Sequence, residues 1–124
     1  QTNFTRTSEN IMRKEPRIFL QHILESIEAI EESRENLSEE TFLNSREKQD
    51  AIIRRLEIIG EAVKNLPADF KKDHPELEWE KAMGIRNILI HHYFGIDLRI
   101  VWDTVIKSLP EFKKQIKGLI KEES

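Results

Sequence analysis

One short run of this sequence gathers side chains able to grip a phosphate and to move protons. It reads Arg86-Asn87-Ile88-Leu89-Ile90-His91-His92-Tyr93-Phe94. At about 100° per helical residue, Arg86, Asn87, His91 and Tyr93 share one arc of roughly 160°, and Ala82, Ile85, Ile88, Leu89 and His92 take the opposite, mainly apolar arc. A guanidinium offers phosphate oxygens a planar fork of donors, and an imidazole exchanges a proton near neutral pH. The set suits a phosphate ligand.

Each residue also has a plainer reading. An exposed Arg on a helix is ordinarily just solvated, and a His beside a helix C-terminus can simply favour the dipole. His92, on the apolar arc, reads as a packed, hydrogen-bonded histidine. Tyr93 is the single tyrosine of the chain, and amphipathic aromatics often sit at a bundle or dimer rim for packing reasons. His22 and His74 have no partners at ligand spacing and read as structural or solvent-exposed. Arg54, Arg55, Glu57 and Glu61 are spaced for ordinary ion pairs along or between helices.

The elements that must position this run are helical. From Arg17 to Leu37, apolar residues at Leu20, Ile23, Leu24, Ile27 and Ile30 follow the 3.6-residue period. Ser38 offers an N-cap for the short turn SEETFL, and the polar stretch NSREKQD leads into a second long helix. Its seam is Ile52, Leu56, Ile59, Val63 and Leu66, with Gly60 alongside, suggesting a close neighbour there. Pro67 and Pro75 bracket a polar connection with room for one helical turn. Glu78 to Phe94 is the third major helix. Gly95-Ile96-Asp97 breaks it, Asp97 caps the next, and Leu98, Val101, Trp102, Val105 and Leu109 form that helix's buried stripe. Ser108-Leu109-Pro110-Glu111 has capping-box spacing, so the last helix is expected to restart there and to bury Phe112, Ile116, Leu119 and Ile120.

Composition narrows the class. The chain has 124 residues, four Gly, four Pro and no Cys, which fits a single domain and argues against an all-β fold, disulfides, thiolate metal sites and a cysteine nucleophile. The expected class is all-α, an antiparallel bundle of four to five helices. No apolar run is long enough to span a membrane and no signal peptide is visible, so a cytoplasmic location is the default expectation. Residues 1–11 read as a tag-derived or disordered leader ahead of a natural start at Met12, with residues 12–124 as the domain. The formal net charge is −3, so a nucleic-acid role requires a local basic site rather than a global field. A glycine-rich phosphate loop, a Gly-x-Ser-x-Gly elbow and a His-Glu-x-x-His zinc motif are all missing, and adjacent His91 and His92 diverge too far on a helix to chelate one metal.

The Arg86-to-Phe94 run resembles the Arg-x-x-x-x-His-x-Tyr signature of the HEPN superfamily, specifically the HepT toxins encoded beside MntA-type minimal nucleotidyltransferase antitoxins. The likeness extends to RIFLQHILESIEAI, REKQDAIIRRLEIIGEAVKNLP, the Trp79 region and GIDLRIVWDTVIKSLPEFKKQI. It implies a helical homodimer and a metal-independent endoribonuclease without cofactor. Arg86 and His91 would be catalytic, with Asn87 supporting them, and two copies of the site would meet at the dimer interface. It further implies silencing by transfer of AMP to Tyr93 from the partner nucleotidyltransferase. Two other functions stay open at this point. One is a non-catalytic helical subunit that binds nucleotide or docks the transferase. The other is a plain dimeric interaction module whose Arg and His lock the interface.

Overall fold

The computed structural model describes residues 2–82 and 97–123, with side chains from Pro16 onward. Among them the regular structure is helical, without strands. Helix α1 (Thr2–Arg34) starts further upstream than the apolar period required and ends earlier. The amide of Leu37 bonds the carbonyl of Arg34 at 2.9 Å, and Asn36 takes φ 61°, a left-handed conformation that Asn tolerates and that breaks helical propagation. Pro16 lies inside α1, where the helix loses one backbone hydrogen bond.

Serines start the next two helices. Ser38 caps α2 (Glu39–Asn44) by accepting from the Thr41 amide at 3.1 Å. Ser45, hidden in the sequence within the polar NSREKQD stretch, caps α3 (Arg46–Asn65) by accepting from the Lys48 amide at 3.2 Å. The Gln49 carboxamide reaches back to the carbonyls of Phe42 and Leu43, satisfying acceptors that the end of α2 leaves open. At the far end of α3 the Lys71 ammonium donates to the Val63 carbonyl at 3.2 Å, a contact made from α4 (Ala68–Asp73).

The core forms where α1 lies along α3 and, less extensively, against the C-terminal helix. Leu20, Ile23, Ile27 and Ile30 of α1 meet Ile52, Leu56, Ile59 and Val63 of α3, all buried. Gly60 is buried beside this seam. Each buried aliphatic side chain contributes about 1.5–3 kcal/mol of transfer free energy, so this contact supplies a large share of the stability.

After residue 97 the chain is a single helical rod in three parts: α5 (Leu98–Asp103), a π turn (Thr104–Ser108) and α6 (Leu109–Glu122). Asp97 caps α5 as expected, accepting from the Arg99 amide at 3.0 Å. The restart expected at Ser108 does not occur. Ser108 keeps right-handed helical angles and makes no side-chain cap. The cause is Pro110, which has no N–H and whose ring would strike the carbonyl four residues earlier in a regular α-helix. The backbone widens instead, with the Leu109 amide bonding the Thr104 carbonyl, the i to i−5 pattern of a π turn. Val101, Trp102, Val105, Leu109, Ile116 and Leu119 are buried along the rod, and Leu98, Phe112 and Ile120 are partly buried.

Candidate functional site

Arg86, Asn87, His91, His92 and Tyr93 lie in residues 83–96, outside the described residues. The structure defines the frame on either side of them. On the entry side, helix begins at Trp79 and runs through Ala82. Trp79 is 6% exposed, its indole N–H donates to the His74 carbonyl at 2.9 Å, and its ring stands edge-on to Phe112 of α6 at 6.2 Å and tilted against Phe70 at 6.4 Å. One aromatic side chain thus ties the helical turn at Trp79–Ala82, which leads into residues 83–96, to α4 and α6. On the exit side, the Asp97 cap and the contact of Trp102 with Phe42, 5.3 Å between ring centroids, fix where the chain leaves the segment.

The two remaining histidines are both accounted for. The His74 ring packs on Phe70 at 4.7 Å, and its Nδ1 lies 3.3 Å from a Glu76 carboxylate oxygen. His22 is exposed and shares a groove of about 330 Å³ between α1 and α3 with Phe19, Arg54, Glu57 and Glu61. Sequence spacing could not bring His22 to those residues, because the contact depends on how α1 lies on α3. Among the described residues no three His, Asp or Glu side chains converge as a metal-binding group.

A second cavity, of about 240 Å³, lies between α3, the turn after Trp79, the π turn and α6. Leu56, Ile59, Leu109 and Phe112 supply its apolar wall, and Lys81 and Lys107 stand beside it. Both lysines already face carboxylates: Lys81 is 3.3 Å from Glu78, and Lys107 is 3.9 Å from Asp103. Away from this region, Lys113 of α6 donates to Glu31 of α1 at 2.7 Å. That hydrogen bond, helped by the negative charge of Glu31 and Glu28, raises the Lys113 pKa against the opposing effect of burial.

The architecture defines the class as a helical-bundle protein, and no described helix is long and apolar enough to cross a membrane. Comparison with known proteins narrows the class to a family. The chain belongs to the HepT-like ribonucleases: the profile of the family described as "Ribonuclease HepT-like" matches residues 23–119. It is 47% identical over 111 residues to a Methanocaldococcus jannaschii protein described as "Gamma-glutamylcyclotransferase and putative RNase MJ0434", a match covering 90% of this chain and 50% of that one. It is 44% identical over 110 residues to "Putative RNase TTE0752" of Caldanaerobacter subterraneus subsp. tengcongensis, covering 89% of this chain and 98% of the relative. A "Probable ribonuclease HepT" from Thermococcus cleftensis is likewise 44% identical over 110 residues, covering 89% of this chain and all 100% of the relative. The chain therefore spans half of the first relative and nearly all of the other two. No solved structure matches it significantly.

Proposed function

We propose that this protein is a metal-independent endoribonuclease and the toxin half of a toxin–antitoxin pair, working in the cytoplasm as a homodimer. The observation that carries the reading is the span of the family match, residues 23–119, which includes Arg86, Asn87, His91 and Tyr93. The relatives described as ribonucleases support it.

Cleavage through the RNA's own 2′-hydroxyl needs a base, an acid and a cation. The 2′-oxygen attacks phosphorus, its proton passes to one imidazole, the bond from phosphorus to the 5′-oxygen breaks, and that oxygen takes a proton from a second imidazole. The products are a 2′,3′-cyclic phosphate and a 5′-hydroxyl. Each chain has one His91 in the predicted helix, and in the proposed dimer two-fold symmetry supplies the other together with a second Arg86. Arg86 clamps the phosphate and Asn87 orients the reacting groups. The doubled cationic pocket answers the unfavourable net charge.

Control follows from Tyr93. Its hydroxyl attacks the α-phosphorus of ATP on the partner nucleotidyltransferase, pyrophosphate leaves, and a phosphodiester anion with its base remains attached. Tyr93 is seven residues from Arg86, two turns of the helix that the sequence pattern predicts, and on that spacing the anion competes with RNA for the guanidinium.

The test is cleavage of a fluorescent RNA in the presence of a chelator. His91→Ala is expected to slow it by about 10²–10⁴-fold, the usual contribution of a general acid or base, and Arg86→Ala to slow it comparably. Full activity of either variant would overturn the assignment. Incubation with the partner and ATP should add the mass of AMP, and the gain should vanish in Tyr93→Phe.

A further inference from the structure

The solvent face of α6 carries a feature that cleavage chemistry does not use. Lys114, Lys117 and Lys121 are exposed and lie on the side opposite the buried Ile116 and Leu119. They span about 10 Å along the axis at 1.5 Å per residue. Lys81, Lys107 and Lys113 each face a carboxylate. The three outward lysines have no ion-pair or hydrogen-bond partner among the described residues. Glu111 and Glu122 stand at one flank of the stripe, roughly 60–80° around the helix.

Helix energetics alone do not explain the arrangement. Charge favoured by the helix dipole is confined to the last turn, which accounts for Lys121 and not for Lys114. Like charges three and four residues apart repel. At the edge of the stripe, about 40° round the helix from Lys114 on the flank toward Glu111, sits Gly118, and a Cβ placed there would meet nothing within 4 Å. Internal packing therefore gives no reason for glycine, although glycine is a poor choice inside a helix. The three outward ammonium groups thus border, on one side, a point of bare backbone that an outside partner can approach closely.

We propose that this face of α6 binds the sugar-phosphate backbone of the RNA, outside the point of cleavage. The proposal rests on the ribonuclease reading above. Protein interfaces are built on buried aromatic and aliphatic anchors and are depleted in lysine. This arc has lysines on flexible stems and no apolar anchor, which suits solvated phosphates. Because the chain is net negative, attraction for RNA must come from local patches such as this one.

The experiment measures binding of a fluorescent, uncleavable 2′-O-methyl oligonucleotide at several salt concentrations. The wild type is compared with Lys114→Gln/Lys117→Gln/Lys121→Gln and with a charge-matched control, Arg46→Gln/Lys64→Gln/Lys72→Gln. Each phosphate contact on a single strand contributes about 0.7 to the log–log salt slope. The stripe variant should therefore lose roughly 2 from the slope and bind on the order of a hundredfold more weakly at 0.1 M salt, while the control stays near wild type. Gly118→Gln should raise Tm by a few degrees, since glutamine is the better helix former, and yet weaken oligonucleotide binding. An unchanged slope and affinity in the stripe variant would overturn this proposal alone. So would retained RNA binding combined with lost binding to the nucleotidyltransferase, which would assign the face to a protein partner. Failure of the wild type to bind RNA would overturn the ribonuclease reading and this proposal with it.

Discussion

Trp79→Phe isolates the anchor that leads into the proposed active segment. The indole donates one hydrogen bond to the His74 carbonyl at 2.9 Å and fills the space between Phe70 and Phe112. Phenylalanine keeps an aromatic ring but abandons that carbonyl, which costs about 1 kcal/mol at a half-buried position. The smaller ring also gives up roughly 40 Å² of buried apolar surface, about 1 kcal/mol at 25 cal/mol per Å². The sum is about 2 kcal/mol, or roughly 1 M in the urea midpoint for a domain of this size. The chain has two tryptophans, so Trp102, packed on Phe42, remains as a fluorescent reporter in the variant. Its transition should coincide with that seen by circular dichroism if unfolding is two-state. A domain with a typical stability of about 5–15 kcal/mol stays almost wholly folded after such a loss. Any fall in RNA cleavage at 25 °C would then report displacement of the segment after Trp79 rather than unfolding. A stability loss below about 0.5 kcal/mol, or a larger loss with cleavage unaffected, would refute the anchoring argument.

Other expectations follow from single contacts. Ser45→Ala removes the cap on α3 and should cost about 1 kcal/mol in urea unfolding, whereas Ser45→Asp should be nearly neutral. Ile27→Ala opens a cavity at a fully buried position of α1 and should cost about 2–5 kcal/mol by the same measurement. A double-mutant cycle on Lys113 and Glu31 should give a coupling below about 1 kcal/mol, because their side chains are 24% and 41% exposed and solvent screens the pair. The pH dependence of that coupling has a definite sign. The folded-state pKa of Lys113 is raised, so its stabilising contribution is complete below the unfolded-state lysine pKa and is lost as pH rises through the higher folded value. Stability measured between pH 8 and about 11 should fall less steeply in Lys113→Met than in the wild type.

The periodic parts of the fold were readable because burial follows the helical repeat. Leu20, Ile23, Ile27 and Ile30, the α3 seam, and Val101, Trp102, Val105 and Leu109 all point inward as their spacing required. Caps were readable where the serine or aspartate stood directly before a short helical pattern, as with Ser38 and Asp97. Where backbone context decides, one cap was not picked out and one was misplaced. Ser45 caps because its backbone is extended, φ −117° and ψ 103°. Ser108 has the capping-box neighbours, but its backbone never leaves the helical region. The candidate site is read from residue types, since Arg, Asn, His and Tyr at helical spacing are unlike the Glu- and Lys-rich faces elsewhere; residues 83–96, which carry it, lie outside the described residues. The Trp79 anchor was not legible, because its partners Phe70, His74 and Phe112 meet only once separate elements have packed.

The widened turn at Thr104–Ser108 has a consequence for how the chain can vary in length. Val101, Val105 and Leu109 recur every fourth residue and are all buried, whereas a regular α-helix would carry each about 40° further round the axis. The surplus residue held by the Leu109-to-Thr104 bond absorbs that drift. Deleting one residue here would turn everything downstream by about 100°, bringing Ile116 and Leu119 toward water and swinging charged side chains toward α1. Insertions and deletions in homologous chains are therefore expected in the inter-helix connections, while this stretch acts as a phase lock for the C-terminal helix.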